Sequence, residues 1–158
     1  MSHSSAGSTS AVVRRATQAD IGTLVELMRE FYSESGYSLD RQNAEGAFSE
    51  LLRNSDLGCV WLAEQQGAAA GHVVLTLHYI MEHAGFSAYI DDLFVKPQFR
   101  RQGIASALLA ELWSECERRA CKSVYVEVGS DNSPAIALYR QLGLRPLQDG
   151  RVMLGGLI

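Results

Sequence analysis

The stretch YIDDLFVKPQFRRQGIAS, residues 89–106, carries the strongest structural signal in the chain. It begins as a strand that Pro97 closes, because proline cannot donate a hydrogen bond to a ladder. Two arginines and Gly103 follow, and an apolar period of three to four residues then predicts a helix over 103–119. This succession directs the free backbone amides of residues 101–106 into one concavity, where the positive end of the helix dipole adds to them. The sequence therefore predicts an anion site.

Small and cationic residues surround that predicted site. Gly103 lets the backbone approach a ligand closely, and Ala105 is small for the same reason. Arg100 and Arg101 could add charge-assisted contacts to phosphate. The spacing is neither that of a Gly-Lys-Ser/Thr phosphate loop nor that of GxGxxG. A plain strand-to-helix turn with solvated arginines is the alternative that this stretch alone leaves open.

Working outward, the periodicity of the chain predicts alternating blocks of helix and strand. The order β-α-α-β-β-β-α-β-α-β-β predicts a mixed α/β sheet with helices on both faces. The predicted strands are 11–16, 59–64, 71–81, 86–95, 123–128 and two short ones within 144–157, and the predicted helices are 19–33, 41–53, 103–119 and 134–142.

Composition limits the classes of function. A chain of 158 residues with 47% hydrophobic and 20% charged residues fits one soluble globular domain. We expect residues 1–10 to be a disordered leader or a tag remnant, and the domain to span 11–158. No run of about 18 apolar residues predicts a membrane span, and a net charge of −4 argues against a nucleic-acid surface.

The three cysteines, Cys59, Cys116 and Cys121, show neither CxxC nor His-linked metal spacing. We therefore expect reduced thiols in a cytoplasmic protein. Nothing in the sequence calls for a metal.

Residues 95–109 resemble the acetyl-CoA-binding motif of the Gcn5-related N-acetyltransferase (GNAT) superfamily. The core of that motif is Arg/Gln-x-x-Gly-x-Gly/Ala, and Arg100, Gly103 and Ala105 match it. Arg101 stands where glycine is common.

A second block, residues 132–144, resembles the later signature of the same superfamily, Asn-x-x-Ala-x-x-x-Tyr-x-x-x-Gly-Phe. Asn132 and Tyr139 match it, and Leu144 replaces the usual phenylalanine. Both blocks occur in the expected order, and the order of elements agrees across residues 11–158. The resemblance implies a single-domain GNAT-like fold, with a mixed, mostly antiparallel sheet flanked by helices.

The resemblance also implies an acetyl-CoA-dependent N-acetyltransferase and suggests how its cofactor binds. The pyrophosphate would lie on the amides of residues 101–106. The pantetheine arm would pair with the end of the preceding strand, which requires that strand to splay away from 123–128. The implied cofactor-binding residues are Leu93, Phe94, Val95, Arg100, Arg101, Gln102, Gly103, Ile104, Ala105, Ser106, Asn132 and Tyr139. Asn132 would bond the pantetheine or cap the following helix.

The catalytic candidates are an acid and a base. An alkyl amine has a pKa of about 10.4 and must lose a proton before it attacks, so a carboxylate is a sensible base. By the resemblance, Tyr139 is the acid that protonates the leaving thiolate. Asp91 and Asp92 are the base candidates, and because neighbouring strand residues face opposite sides, only one of them should point at the reaction. Asp91 matches, nine residues before Arg100, a glutamate position in the family's polyamine acetyltransferases.

The acceptor pocket in this superfamily lies between the connection of the first two helices and the hairpin before the cofactor strand. Tyr32, Tyr37 and Glu82 fall in those two loops and would suit a cationic amine. The prediction is therefore a small, polyamine-like primary amine. A protein lysine or N-terminus as acceptor, and a non-catalytic acyl-CoA-binding module, are the alternatives left open. The resemblance also implies a homodimer.

Overall fold

The polypeptide builds one five-stranded sheet in the computed structural model, which describes residues 10–147 and 154–157. The strands lie in chain order, and all neighbours are antiparallel except the last pair. The elements are β1 (Val12–Arg15), α1 (Ile21–Glu34), α2 (Arg41–Arg53), β2 (Gly58–Gln65), β3 (Ala68–Ile80), β4 (Gly85–Val95), α3 (Ile104–Arg118), β5 (Ser123–Val126) and α4 (Ser133–Gln141).

Helices α1 and α2 cover one face of the sheet. Their apolar residues, among them Leu24 and Phe48, form a buried cluster with Leu62 of β2, Val74 of β3 and Phe94 of β4. Burying a large apolar side chain contributes about 1.5–3 kcal/mol, so this cluster holds both helices against the strands.

Helix α3 covers the opposite face. Trp61 alternates with Leu62 along β2 and therefore points to the other side. Arg15 lies over the Trp61 ring, 4.8 Å from its centroid, and also pairs with Glu115 of α3 at 3.4 Å. The prediction of helices on both faces is therefore confirmed, as is a mixed, mostly antiparallel sheet.

The β4–β5 ladder is short. It pairs Ser87 with Ser123 and ends where Ile90 meets Val126. Beyond that point β4 continues to Val95 with β3 as its ladder partner, and no strand among the described residues pairs with its other edge. The pairing of β4 with β5 therefore ends before the segment Leu93–Val95, which we predict to bind the pantetheine arm.

A bulge interrupts β4 just where that splay begins. Ile90 pairs with Leu75 of β3, and Asp92 pairs with the adjacent Val74. Asp91 is therefore an extra residue that pairs with no residue of β3. An inserted residue bends its strand and reverses the alternation of side chains beyond it. As a result, Asp92 and Phe94 point toward α1 and α2, whereas Ile90 points away from them.

The described residues fall into two compact units, 10–127 and 128–147 with 154–157. The first holds the sheet with α1, α2 and α3, and the second holds α4. No strand occurs at 144–147 or 154–157, and the rest of the two short strands predicted within 144–157 lies outside the described residues. The leader predicted at 1–10 also lies outside them, apart from Ser10. All three cysteines are free thiols, as predicted.

In the part of the chain that the structure describes, no helix has the length and apolarity needed to cross a membrane.

Candidate active site

The bulge in β4 places two carboxylates on the wall of one cleft. Asp91 and Asp92 line a cavity of about 340 Å³ together with residues from the end of α1 and the turn after it. The other lining residues are Phe31, Tyr32, Ser35 and Tyr37. The strict alternation from which we expected the two aspartates to face opposite sides is interrupted by the bulge, and which of them points at the reaction stays a prediction.

The tyrosines of the cleft are held by the C-terminal end of α1. The helix stops at Glu34, Gly36 takes a positive φ of 77°, and the amide of Tyr37 donates to the Tyr32 carbonyl at 2.8 Å. The turn brings the Tyr32 and Tyr37 rings edge to face, with centroids 6.3 Å apart. Phe31 stacks on Phe94 at 5.7 Å and fixes this end of α1 to β4.

Burial and charge both act on the cleft's titratable groups. Burial, and then the neighbouring Asp92 charge, raises the pKa of Asp91. Burial, followed by the charges of Asp92 and Asp91, likewise raises the pKa of Tyr32. Asp91 is nevertheless exposed. The raised pKa and the exposure of Asp91 are compatible, because the cleft walls displace part of the hydration shell of the carboxylate while the open mouth of the cleft leaves it accessible to solvent.

A buried histidine lies behind Asp92. The side chain of His72 on β3 is wholly buried, and its Nε2 lies 3.9 Å from Asp92 Oδ2. Its ring is near those of Phe48 and Phe94, at centroid distances of 6.3 and 6.4 Å. Sequence reasoning missed this residue, because a single histidine inside an apolar strand gives no local sign of what it faces.

The loop and helix start at which an anion site is predicted are formed by Gly103 and α3. Gly103 precedes the helix with φ 81°, and the first helical bond runs from the Ala107 amide to the Gly103 carbonyl at 3.0 Å. The amides of Ile104, Ala105 and Ser106 come before that bond and have no partner within the helix. Gly103 itself is exposed, and a Cβ placed on it would meet nothing within 4 Å.

Arg100 has protein partners on the other side of this loop. Its Nε donates to the Val95 carbonyl at 2.8 Å, and its guanidinium pairs with Glu34 of α1 at 2.6 Å. The same group lies 5.7 Å from the centre of the Phe94 ring. Arg100 thereby ties the loop to α1, and its contact with phosphate stays a prediction. Arg101 adopts a left-handed φ of 61°, at the position where the family motif commonly has glycine.

The second unit carries the two remaining site candidates. Asn132 caps α4, since its Oδ1 accepts from the Ala135 amide at 3.3 Å, and its contact with pantetheine stays a prediction. Tyr139 is buried, and burial raises its pKa to about 12. The phenol is therefore protonated near neutral pH.

Glu82 is not among the residues that line the cleft. It lies in the short 3-10 turn Met81–His83 at the tip of the β3–β4 hairpin. Of the three predicted substrate-binding residues, the structure brings Tyr32 and Tyr37 to the two aspartates and leaves Glu82 outside the cleft's lining.

The sequence profile of the Acetyltransferase (GNAT) family matches residues 22–144, which include the cleft, the loop before α3 and helix α4. The chain belongs to the GNAT family. It is an acetyl-CoA-dependent N-acetyltransferase.

Curated relatives match this GNAT chain over most or part of its length. Thialysine N-epsilon-acetyltransferase from Sus scrofa is 26% identical over 152 residues, which span 89% of this chain and 87% of the relative. The ribosomal protein bS18-alanine N-acetyltransferase of Escherichia coli K12 is 37% identical over 73 residues, or 40% of this chain and 49% of the relative.

Solved structures share the fold. An integron cassette protein from the mobile metagenome of Cole Harbour Salt Marsh is 34% identical, with a TM-score of 0.81, and the match covers 92% of this chain and 90% of that one. A protein described as a predicted acetyltransferase with acetyl-CoA, from Clostridium acetobutylicum, has a TM-score of 0.78 at 20% identity, covering 92% and 96%. At that identity the second likeness concerns the fold alone.

Proposed function

We propose that this GNAT enzyme acetylates a primary amine of a small cationic molecule that carries a second charged group, as a diamine or a lysine-like amino acid does. The observation that carries the proposal is the pair of carboxylates, Asp91 and Asp92, that the β4 bulge turns into one cleft beside Tyr32 and Tyr37. Two acids and two aromatic rings suit an alkylammonium group through ion pairing and cation–π contact. The name of the thialysine N-epsilon-acetyltransferase relative supports the same class of acceptor.

The cofactor's place follows from backbone groups that the fold leaves available. The residues present fit acetyl-CoA, because the amides of Ile104, Ala105 and Ser106 have no partner within α3, no side chain among the described residues caps this helix start, and Gly103 before it is exposed. No strand among residues 10–147 and 154–157 pairs with the β5 side of β4 from Asp91 to Val95, which suits an extended ligand arm. Acetyl-CoA supplies the acetyl group as a thioester when it is bound.

Asp91 is the proposed base. It is the bulged residue, solvent reaches it, and burial and the Asp92 charge raise its pKa, which makes it a better proton acceptor than an ordinary aspartate. It would take the proton that the amine loses as the amine nitrogen bonds to the acetyl carbon. Asp92, one residue deeper in the strand, would pair with the second cationic group of the acceptor. Tyr139 would donate the proton that the departing sulfur receives, because its raised pKa keeps the phenol protonated.

A substrate panel tests the proposal. Thiol release from acetyl-CoA is measured with 1,4-diaminobutane, thialysine, n-butylamine and a lysine-containing peptide. We expect kcat/KM for the diamine or thialysine to exceed that for n-butylamine roughly tenfold, about 1.4 kcal/mol, because only the first two carry a second charged group. A peptide that outperforms both would favour a protein acceptor, the class named by the relative that acts on ribosomal protein bS18. A homodimer and a cytoplasmic location stay predictions.

A further inference from the structure

We propose that His72 is a positioning residue that holds the Asp92 carboxylate on the cleft wall through its Nε2–H group. The contact between His72 and Asp92 is independent of the proposed function; only its effect on the binding of a cationic acceptor rests on that proposal. Its evidence is the packing of the β3 and β4 side chains behind the cleft.

A histidine at position 72 carries a free-energy cost. His72 is wholly buried, and neither of its ring nitrogens has a hydrogen-bond partner among the described residues. A buried polar group left without a partner costs about 1–3 kcal/mol. The rings of Phe48 and Phe94 are its aromatic neighbours, so an apolar side chain of similar size would suit this place without that cost.

The imidazole of His72 faces Asp92 with its Nε2 atom. Its Nε2 is 3.9 Å from Asp92 Oδ2, about 1 Å longer than an ordinary N–H···O bond. Hydrogen bonds in active sites are often long before substrate binds and shorten in the complex. A movement of about 1 Å by Asp92 toward β3 would close this bond, and a carboxylate facing Nε2 favours the tautomer with hydrogen on that nitrogen.

Asp92 has an acidic and a phenolic neighbour in the cleft. Asp91 lies next to it on β4 and Tyr32 approaches from α1, and both feel its charge. Neither offers Asp92 a positive partner, and Asp91 repels it when both are ionised. A donor behind Asp92 keeps its carboxylate at a fixed place on the wall, where it can face the acceptor's second cationic group.

A series of substitutions at position 72 separates positioning from packing. The amide nitrogen of glutamine reaches about as far as His Nε2, whereas that of asparagine matches Nδ1. We expect His72→Gln to keep kcat/KM for the diamine within about threefold of wild type. His72→Asn and His72→Phe should each lower it at least tenfold, mainly through KM, because a misplaced Asp92 binds the cation poorly. In an Asp92→Asn background, His72→Phe should cause no further loss. His78→Gln, at an exposed position of the same strand, is the matched control.

Two results would overturn the proposal. One is a His72→Phe enzyme as active as wild type. The other is an equal loss from His72→Phe whether residue 92 is Asp or Asn, which would mark a packing role.

A measurement on the unmodified protein keeps the test decisive if a variant fails to fold. Nitrogen-15 NMR of the wild-type imidazole should show the Nε2–H tautomer for His72, and Asp92→Asn should move that resonance. An Nδ1–H tautomer, or a His72 resonance unaffected by Asp92→Asn, would refute the inference. This readout needs no turnover, so failure of the proposed acetylation would leave it interpretable.

Discussion

Replacing Glu115 with glutamine tests how α3, the helix that begins at the cofactor site, is fixed to the sheet. Only 8% of the Glu115 side chain is exposed, and three arginines surround its carboxylate. Arg118 and Arg119 approach it from the same helix at 2.5 Å, and Arg15 approaches from β1 at 3.4 Å. Glutamine keeps the size of the side chain and removes its charge, leaving the three cations without their common partner.

The magnitude follows from the pKa of the carboxyl. Hydrogen bonds led by that from Arg118 lower the pKa of Glu115 from its ordinary 4.5 to about 2. At about 1.4 kcal/mol per pH unit, the difference of 2.5 corresponds to about 3 kcal/mol of stability at pH 7. Because the folded pKa is depressed, this stability is complete above pH 4.5 and is lost as the pH falls toward 2. About 1.4 kcal/mol should be left at pH 3. The exposed position of Arg118 makes these values upper limits.

Urea unfolding of wild type and Glu115→Gln at pH 7 and at pH 3 measures both quantities. We expect the variant to be about 2–3 kcal/mol less stable at pH 7 and the gap to shrink by more than half at pH 3. Glu117→Gln, at an exposed position of the same helix, is the control and should change little. A penalty under about 1 kcal/mol at pH 7, or one that is equal at both pH values, would refute the reasoning.

Three further predictions concern the proposed site. Gly103→Val should weaken acetyl-CoA binding, measured by calorimetry, at least tenfold. Gly67→Val strains a similar positive φ in the β2–β3 turn, so it should lower stability and leave binding unchanged. Equal acetyl-CoA affinity of the two variants would exclude a cofactor site at Gly103. Tyr139→Phe should lower kcat by roughly 10² or more with acetyl-CoA affinity within twofold, and a fully active variant would exclude the phenol as acid. Asp91→Asn should lower kcat and Asp92→Asn should raise KM for the diamine in steady-state kinetics, and the reverse pattern would exchange their roles.

The sequence was sufficient to predict the helices and strands from β1 to α4 because local patterns determine them, whereas no strand occurs at 144–147 or 154–157. The apolar spacing over 41–53 predicted α2 with the bounds that the structure has. Pro97 and Gly103 marked the loop before α3, where proline ends pairing and glycine accepts a positive φ. The two motif blocks then fixed the family, and the family implied the splay beside β4.

The arrangement of the site was harder to predict because it depends on distant partners. A bulge is a property of two paired strands, so the extra residue Asp91 cannot be recognised from β4 alone. Strict alternation therefore placed Asp91 and Asp92 on opposite faces, and the structure places both in one cleft. The contact of His72 with Asp92 and that of Arg100 with Glu34, 66 positions away, join residues that are distant in sequence. No local pattern could predict either contact.

The most direct test of the account is acetyl transfer to 1,4-diaminobutane by the wild-type enzyme and by the Asp91→Asn/Asp92→Asn double variant. Thiol release and acetylated amine are quantified together, and acetyl-CoA affinity is measured for both proteins. We predict one thiol released per amine acetylated by wild type, and a rate at least 10²-fold lower for the double variant with unchanged acetyl-CoA affinity. A double variant that acetylates the diamine at the wild-type rate would contradict the central claim that the carboxylates of this cleft carry the reaction.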